Sequence, residues 1–239
     1  MATLHIEADA DDLVVSLAKW VSAQAEQAIL ERGRFSWALS GGSTPKQLFA
    51  TMAEASQQSS FPWDKTDLFW GDERDVLPTH PDSNFGVADA ILLRQLSVPP
   101  RGVYRWQTEY RPPAVLADYR AKLEFLADGS VPEMDLVLLG LGPEGHTASL
   151  FPHSPVLASQ DWVAHVYVPE HATWRYTLTL SVINRARTIA FLVTGEAKAK
   201  IVQTIQTTPP DPLWPATMVA DDGRLHWFLD RRAASQISH

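Results

Sequence analysis

The sequence predicts an α/β fold in which a mostly parallel sheet is flanked by helices. Short apolar runs alternate with stretches of helical periodicity, and the runs lack the polar alternation of half-exposed strands. Glycine-containing loops follow four of these runs. The 239 residues, 45% of them hydrophobic, suffice to bury one core. No linker or internal repeat interrupts them, so we expect a single domain over residues 1–239.

The first predicted helix spans residues 11–31. Acidic residues lead into it, Gly33 ends it, and its apolar positions recur at roughly helical spacing. The residues at this spacing are Leu13, Leu17, Trp20, Val21, Ala28 and Leu30, together with the polar Gln24. A strand at 35–39 follows and stops at residues 40–45 (SGGSTP), where Pro45 lies in the first turn of a second helix.

The same order of strand and glycine loop recurs three more times. These strands are predicted at residues 68–70, 136–139 and 188–193, with helical stretches at about 83–96, 113–127 and 196–206. Residues 162–180, rich in Val, Tyr, Thr and Trp, predict a small additional β element of antiparallel kind. A proline-rich connector at 208–215 precedes final strands predicted near 217–219 and 225–229.

Composition excludes several classes of function. With 28 acidic against 20 basic residues and no basic run, the chain is unsuited to nucleic acid. It has no cysteine, which excludes disulfides, thiolate nucleophiles and Cys-ligated zinc. The apolar run 136–141 is far shorter than the roughly 20 residues of a membrane span. The first 12 residues, four of them acidic, do not resemble a signal peptide, so we expect a cytoplasmic protein.

Three loops at the carboxyl ends of predicted strands carry residue types suited to chemistry. Residues 40–45 can direct backbone N–H groups and hydroxyls at an anion, although an ordinary capped turn has the same composition. Residues 70–74 (WGDER) bring two carboxylates and a guanidinium together, as a solvated charged turn also does. Residues 140–149 (GLGPEGHTAS) place His146 at the start of a predicted helix, whose dipole favours a neutral imidazole able to act as a base.

Taken in order, these motifs resemble a known family. Together with residues 82–84 (DSN), 175–179 (RYTLT), 194–198 (TGEAK) and 227–234 (WFLDRRAA), they closely resemble the lactonases of the glucosamine-6-phosphate isomerase/6-phosphogluconolactonase family. The resemblance runs from about residue 36 to the C-terminal segment. It implies a modified doubly wound, Rossmann-like domain. It also implies hydrolysis of 6-phospho-D-glucono-1,5-lactone to 6-phospho-D-gluconate in the oxidative pentose phosphate pathway.

The resemblance also implies site residues. The substrate phosphate is expected on Gly42, Ser43, Thr44, Arg175 and Lys198. His146 matches the family's catalytic base, which activates water against the lactone carbonyl and then protonates the departing ring oxygen. Arg74 is expected to contact substrate or stabilise the oxyanion, while Asp72 and Glu144 orient the cations and the imidazole. The family most often has Asp at the position of Glu144, so this chain departs from the pattern there.

No metal or cofactor is expected. The eight histidines show no paired ligand spacing, and a δ-lactone is reactive enough for one positioned base. The expected partner is the phosphosugar lactone alone, bound by a monomer or weak homo-oligomer.

Two other functions stay open beside lactone hydrolysis. The family's deaminase or isomerase reaction pairs the histidine with an acidic residue five positions later, where this chain has Phe151. A non-catalytic sugar-phosphate sensor in a transcription regulator adds a helix-turn-helix domain with a basic face. This acidic chain begins its sugar-phosphate motifs within the first few dozen residues, which disfavours the sensor.

Overall fold

The computed structural model describes residues 2–54, 58 and 60–237. In chain order the strands and helices are β1 (Thr3–Glu7), α1 (Ala10–Arg32), β2 (Phe35–Leu39), α2 (Ser43–Ala53), β3 (Thr66–Trp70), β4 (Asp72–Arg74), α3 (Asn84–Ile91), β5 (Gly102–Tyr104), α4 (Pro112–Leu123), β6 (Leu136–Leu139), β7 (Val163–Val168), β8 (Thr173–Leu178), α5 (Leu180–Ile183), β9 (Thr188–Val193), α6 (Ala199–Thr207) and β10 (Leu225–Asp230).

A seven-stranded sheet forms the centre of the molecule. Its strand order is β1-β10-β9-β6-β2-β3-β5, and every neighbouring pair is parallel. The strands β2, β3 and β6 are buried along their whole length, as expected for strands covered on both faces. The predicted α/β class with a mostly parallel sheet is therefore confirmed.

A second, three-stranded sheet contains β4, β8 and β7 in antiparallel order. The prediction of an antiparallel β element within residues 162–180 is confirmed by the β7–β8 pair. Asp72–Arg74, expected as a loop, instead forms the strand β4 beside β8. Because β4 follows β3 after a single residue, Gly71, it joins the small sheet to the carboxyl edge of the large one.

The first helix begins and ends where its sequence predicts. The Asp9 side chain accepts the N–H groups of Asp11 and Asp12, and Gly33 ends the helix with a left-handed φ of 74°. Leu30, expected with the apolar positions, is instead 88% exposed. It stands two residues after the buried Ala28, which is about 200° around the helix and therefore on the solvent side.

Three further expectations from the sequence were wrong or incomplete. Residues 217–219 are not a strand, because a 3₁₀ turn spans Pro215–Met218, where Thr217 Oγ1 donates to the carbonyl of Trp214. The strands β1 and β5 were not predicted, since β1 is partly exposed at the sheet edge and β5 has only three residues. No helix follows His146 either.

Residues 140–154 form an irregular loop in place of the predicted helix. Gly145, Ala148 and His153 have φ values of 77°, 47° and 61°, which a right-handed helix does not allow. Side-chain hydrogen bonds replace helical pairing, from Thr147 Oγ1 to the Gly140 carbonyl within the loop and from Ser149 Oγ to the distant Asp72. Elsewhere in the described part of the chain, no helix is long and apolar enough to cross a membrane.

Candidate active site

A cleft of about 280 Å³ opens at the carboxyl ends of β2, β6 and β9. It is lined by Ser40, Gly41, Gly42, Ser43, Thr44, Pro45, Asp72, Arg74, Asn84, Gly140, Leu141, Gly142, Pro143, His146, Ala148, Arg175, Leu192, Val193, Thr194 and Lys198. Eight of the nine predicted site residues are among them, and the ninth, Glu144, contacts His146 from beside the cleft. The structure thus brings the predicted residues together at the edge of the sheet where ligands bind in such folds.

A larger cleft of about 760 Å³ lies at the opposite, amino-terminal ends of the strands. Five arginines line it, and each has a partner. Arg32, Arg101, Arg185 and Arg187 pair with carboxylates, and Arg34 donates to the carbonyl of Phe125. Because these guanidiniums are already neutralised or bonded, this cleft has the character of an ion-pair network that ties strand starts together.

The glycine loop carries the first part of the site. Gly42 has φ 113° and precedes α2, whose first turn contains Ser43 and Thr44, so the unpaired N–H groups of this turn lie at the cleft. Thr44 Oγ1 lies 2.8 Å from Thr194 Oγ1, which connects the loop after β2 with the loop after β9. Backbone donors and hydroxyls can therefore surround an anion at this point.

Lys198 approaches the same region from the loop after β9. Its Nζ donates to the carbonyl of Leu141 at 2.6 Å, and burial lowers its pKa, although Glu144 opposes the shift. Gly195, at the start of this loop, has φ 91° and donates its N–H to the Asp230 carboxylate at 3.0 Å. The last strand, β10, thereby fixes the segment that presents the lysine.

Two guanidiniums face the cleft from the small sheet. Arg74 on β4 and Arg175 on β8 are direct cross-strand partners. The Nε atoms of both are buried without a hydrogen-bond partner, while Arg74 Nη1 donates to the carbonyl of Asp82 at 2.7 Å. Burial lowers the pKa of Arg175, and the neighbouring Arg74 charge acts in the same direction, whereas Asp72 opposes it. This pair is suited to a multiply charged anion.

His146 lies on the opposite loop with its side chain one-fifth exposed. Its Nδ1 is 3.0 Å from Oε1 of Glu144, so the imidazole and the carboxylate are in direct polar contact. The imidazole stacks on Phe151, with ring centroids 4.1 Å apart. It also lies against Gly142, where a Cβ would stand 2.0 Å from Nδ1, so only glycine leaves room for the ring.

The electrostatics of this pair favour a neutral imidazole next to a carboxylate. Burial lowers the pKa of His146, and the charges of Glu144 and Asp72 only partly oppose it. For Glu144, burial acts to raise the pKa, but its own backbone N–H and the His146 imidazole outweigh burial and hold the pKa below its usual value. The neutral imidazole expected from the sequence is therefore supported by burial, not by the helix dipole.

Asp72 is almost fully buried behind the two arginines. The structure records no ion pair between Asp72 and either Arg74 or Arg175. Its Oδ2 instead accepts the Ser149 hydroxyl at 2.8 Å, and its Oδ1 lies 3.3 Å from Nδ2 of Asn84. Sequence reasoning assigned no role to Asn84 or Ser149. The position of the DSN motif shortly after WGDER was the available signal for Asn84.

No group of three or more His, Asp or Glu side chains within the described residues is arranged to hold a metal ion.

Comparison with known proteins gives consistent similarities. Residues 8–227 match the family described as glucosamine-6-phosphate isomerases/6-phosphogluconolactonase. A 6-phosphogluconolactonase of Synechocystis sp. is 39% identical over 91% of this chain and 90% of the relative. One of Nostoc sp. is 36% identical over 99% and 98% of the two chains. The solved 6-phosphogluconolactonase from Trypanosoma cruzi superposes with a TM-score of 0.86 at 25% identity, over 100% of this chain and 98% of that one.

Proposed function

Because the chain belongs to the glucosamine-6-phosphate isomerase/6-phosphogluconolactonase family, we propose that it hydrolyses 6-phospho-D-glucono-1,5-lactone to 6-phospho-D-gluconate. One observation carries this proposal. A partly buried imidazole beside a carboxylate faces the same cleft as two guanidiniums and a helix N-terminus. The first pair provides acid–base chemistry, and the second group provides an anion site.

The phosphate end of the substrate fits the glycine loop. A sugar 6-phosphate carries close to two negative charges at neutral pH, and the first turn of α2 offers backbone donors and the hydroxyls of Ser43 and Thr44. Lys198 and Arg175 supply the compensating positive charge. Because Arg175 is partly buried, its charge is screened little by solvent, and it contributes strongly to phosphate binding.

The hydrolytic step fits His146. The neutral imidazole removes a proton from water as the water oxygen bonds to C1, and the carbonyl electrons move onto its oxygen. The guanidinium of Arg74 stabilises that oxyanion, and Glu144 stabilises the imidazolium that forms. When the tetrahedral intermediate collapses, the bond from C1 to the ring oxygen breaks, and that oxygen takes the proton back from His146. The products are a carboxylic acid and a hydroxyl, so atoms and charge balance.

The deaminase alternative is disfavoured by one contact. The position five residues after His146 is Phe151, which stacks on the imidazole and offers no carboxylate to assist ring opening. The cleft also contains an acid–base pair that a non-catalytic sensor does not need.

We also propose the oligomeric state, compartment and cofactor requirement of the enzyme. The enzyme works as a single domain, as a monomer or weak homo-oligomer in the cytoplasm, without metal, cofactor or nucleic acid. Activity that persists with EDTA in the assay supports a reaction without metal.

The test follows acid release from freshly prepared 6-phosphoglucono-δ-lactone at mildly acidic pH, where spontaneous hydrolysis is slow. Wild type and His146→Ala are compared with EDTA present. We expect the wild type to accelerate hydrolysis and the variant to lose most of the acceleration, by about 100-fold or more, while still binding 6-phosphogluconate. No acceleration by wild type refutes the lactonase function, and deamination of glucosamine 6-phosphate is then the reaction to test.

A further inference from the structure

Asn84 is held in a fixed position at the start of α3. It is 4% exposed, and its backbone N–H donates to Oε1 of Glu73 at 2.7 Å. The same carboxylate accepts the Phe85 N–H at 2.8 Å and the Ser83 hydroxyl at 3.0 Å. These bonds fasten the N-terminus of α3 to β4, so the Asn84 side chain leaves a backbone that cannot readily move.

The Asn84 side chain touches two parts of the active site. Its Nδ2 donates to the backbone carbonyl of Asp72 at 2.9 Å and lies 3.3 Å from the Asp72 carboxylate. On the side of the glycine loop it packs against Gly41, where a Cβ would stand 1.9 Å from Asn84 Oδ1. Only glycine allows that approach, so one amide spans the space between the glycine loop and β4.

The His146 loop also contacts the Asp72 carboxylate. Ser149, fully buried and three residues after His146, donates its hydroxyl to Asp72 Oδ2 at 2.8 Å. The Ser149 N–H is itself anchored to Thr177 Oγ1 on β8 at 3.2 Å. Asp72 therefore has a donor from Asn84 and a donor from the loop that carries His146.

This arrangement matters because Asp72 is a buried charge that acts on both halves of the site. Burial lowers the pKa of both His146 and Arg175, and the Asp72 charge opposes burial in each. A buried carboxylate without donors is costly and moves to find them. The direction of its field thus depends on Asn84 and Ser149.

We propose that Asn84 is a positioning residue that fixes the Asp72 carboxylate between the glycine loop and the His146 loop. This inference rests on the proposed lactone hydrolysis. Asn84 acts on His146 and on the proposed phosphate site indirectly, through the Asp72 carboxylate and through its contact with Gly41 of the glycine loop.

The experiment compares Asn84→Ala with Asn184→Ala as a matched control. The Asn184 amide likewise has two hydrogen-bond partners, here both backbone groups, Met218 O at 3.0 Å and Ala220 N at 2.8 Å, but it lies outside the cleft. We expect Asn84→Ala to lower kcat about 10- to 100-fold, since misplacement by about 1 Å costs about 100-fold, with a smaller rise in KM. Asn184→Ala should keep the wild-type kcat even if its melting temperature falls as far.

A second readout needs no substrate. The charged or titratable groups that face His146 are Glu144 on its own loop, Asp72 on β4, Arg175 on β8 and His171 on the turn before β8. Loss of the Asn84 donor lets Asp72 turn away, so the pKa of His146 should fall further, and an imidazole NMR titration measures this directly. The acid limb of the pH profile of kcat/KM, which reports the pKa of the free enzyme, should move to lower pH by the same amount.

The outcomes separate the two proposals. Wild type without lactonase activity refutes the proposed function, while the NMR titration still decides on Asn84. A wild-type kcat and an unchanged His146 titration in Asn84→Ala overturn the inference, as does a loss of stability alone. Should Asn84→Ala fail to fold, Asn84→Ser replaces it, because serine is smaller but keeps one side-chain donor. Ser149→Ala removes the second donor to the Asp72 carboxylate, the Ser149 hydroxyl. Because both donors act through the Asp72 carboxylate, the variant changed at both Asn84 and Ser149 should lose less kcat than the product of the two single losses.

Discussion

Gly142→Ala tests the placement of the His146 imidazole, the proposed catalytic base. Gly142 does not have a left-handed φ, so alanine introduces no backbone strain there. The new methyl carbon would stand 2.0 Å from His146 Nδ1, whereas ordinary contact begins at 3.4 Å. The ring must therefore retreat by about 1.4 Å, and a displacement of about 1 Å costs about 100-fold in rate. We expect kcat to fall about 100-fold.

The assay is steady-state lactone hydrolysis, together with the affinity for 6-phosphogluconate and a thermal melt. Affinity should change little, because the residues proposed to bind phosphate lie outside the His146 loop, on the glycine loop, on β8 and on the segment after β9. Gly71→Ala is the control, since its Cβ would lie 3.5 Å from the Leu39 carbonyl, an ordinary contact, and we expect nearly wild-type kcat. A folded Gly142→Ala variant with wild-type kcat would refute the role of the imidazole's position.

Three other outcomes can be measured. Arg175→Ala should mainly raise KM, because it removes about 2–4 kcal/mol of binding energy that the substrate and the transition state share. An unchanged KM contradicts its proposed phosphate role. In Glu144→Gln the carboxylate that raises the pKa of His146 is gone, so the acid limb of the kcat/KM profile should move to lower pH; a limb that stays in place contradicts the pairing. Burial raises the pKa of Glu73 from 4.5 to about 6, so the folded state holds its proton more tightly than the unfolded state. The free energy of unfolding should therefore fall by about 2 kcal/mol as pH rises between these values, and urea unfolding of Glu73→Gln should lack that slope.

The fold was largely predictable because each central strand has a local signature in the sequence, a short apolar run that stops at a glycine loop. The four apolar runs that stop at glycine loops became β2, β3, β6 and β9, which are all parallel members of the large sheet. The edge strand β1 was not predictable, because its residues are partly exposed and it depends on β10 for pairing.

The site was predictable only in part, because several of its contacts join distant residues. The glycine loop and the His146 loop have local signatures that place them at strand ends. The pairing of Arg74 with Arg175 depends on strand register across 101 positions and was not predicted, although the family resemblance assigned both residues to the site. The loop after His146 escaped prediction since its shape is imposed by Asp72, which holds Ser149 from 77 positions away.

The parallel pairing of β1 with β10 also determines when the enzyme can become active during synthesis. Residues 3–7 have their sheet partner only in residues 226–230, so at about 5–20 residues per second the first strand waits about 11–45 s on the ribosome without it. Asp230, at the end of β10, also anchors Gly195 at the start of the Lys198 loop. A nascent chain can therefore complete its central strands and its His146 loop, yet the proposed phosphate site is finished only when almost the whole length has been translated.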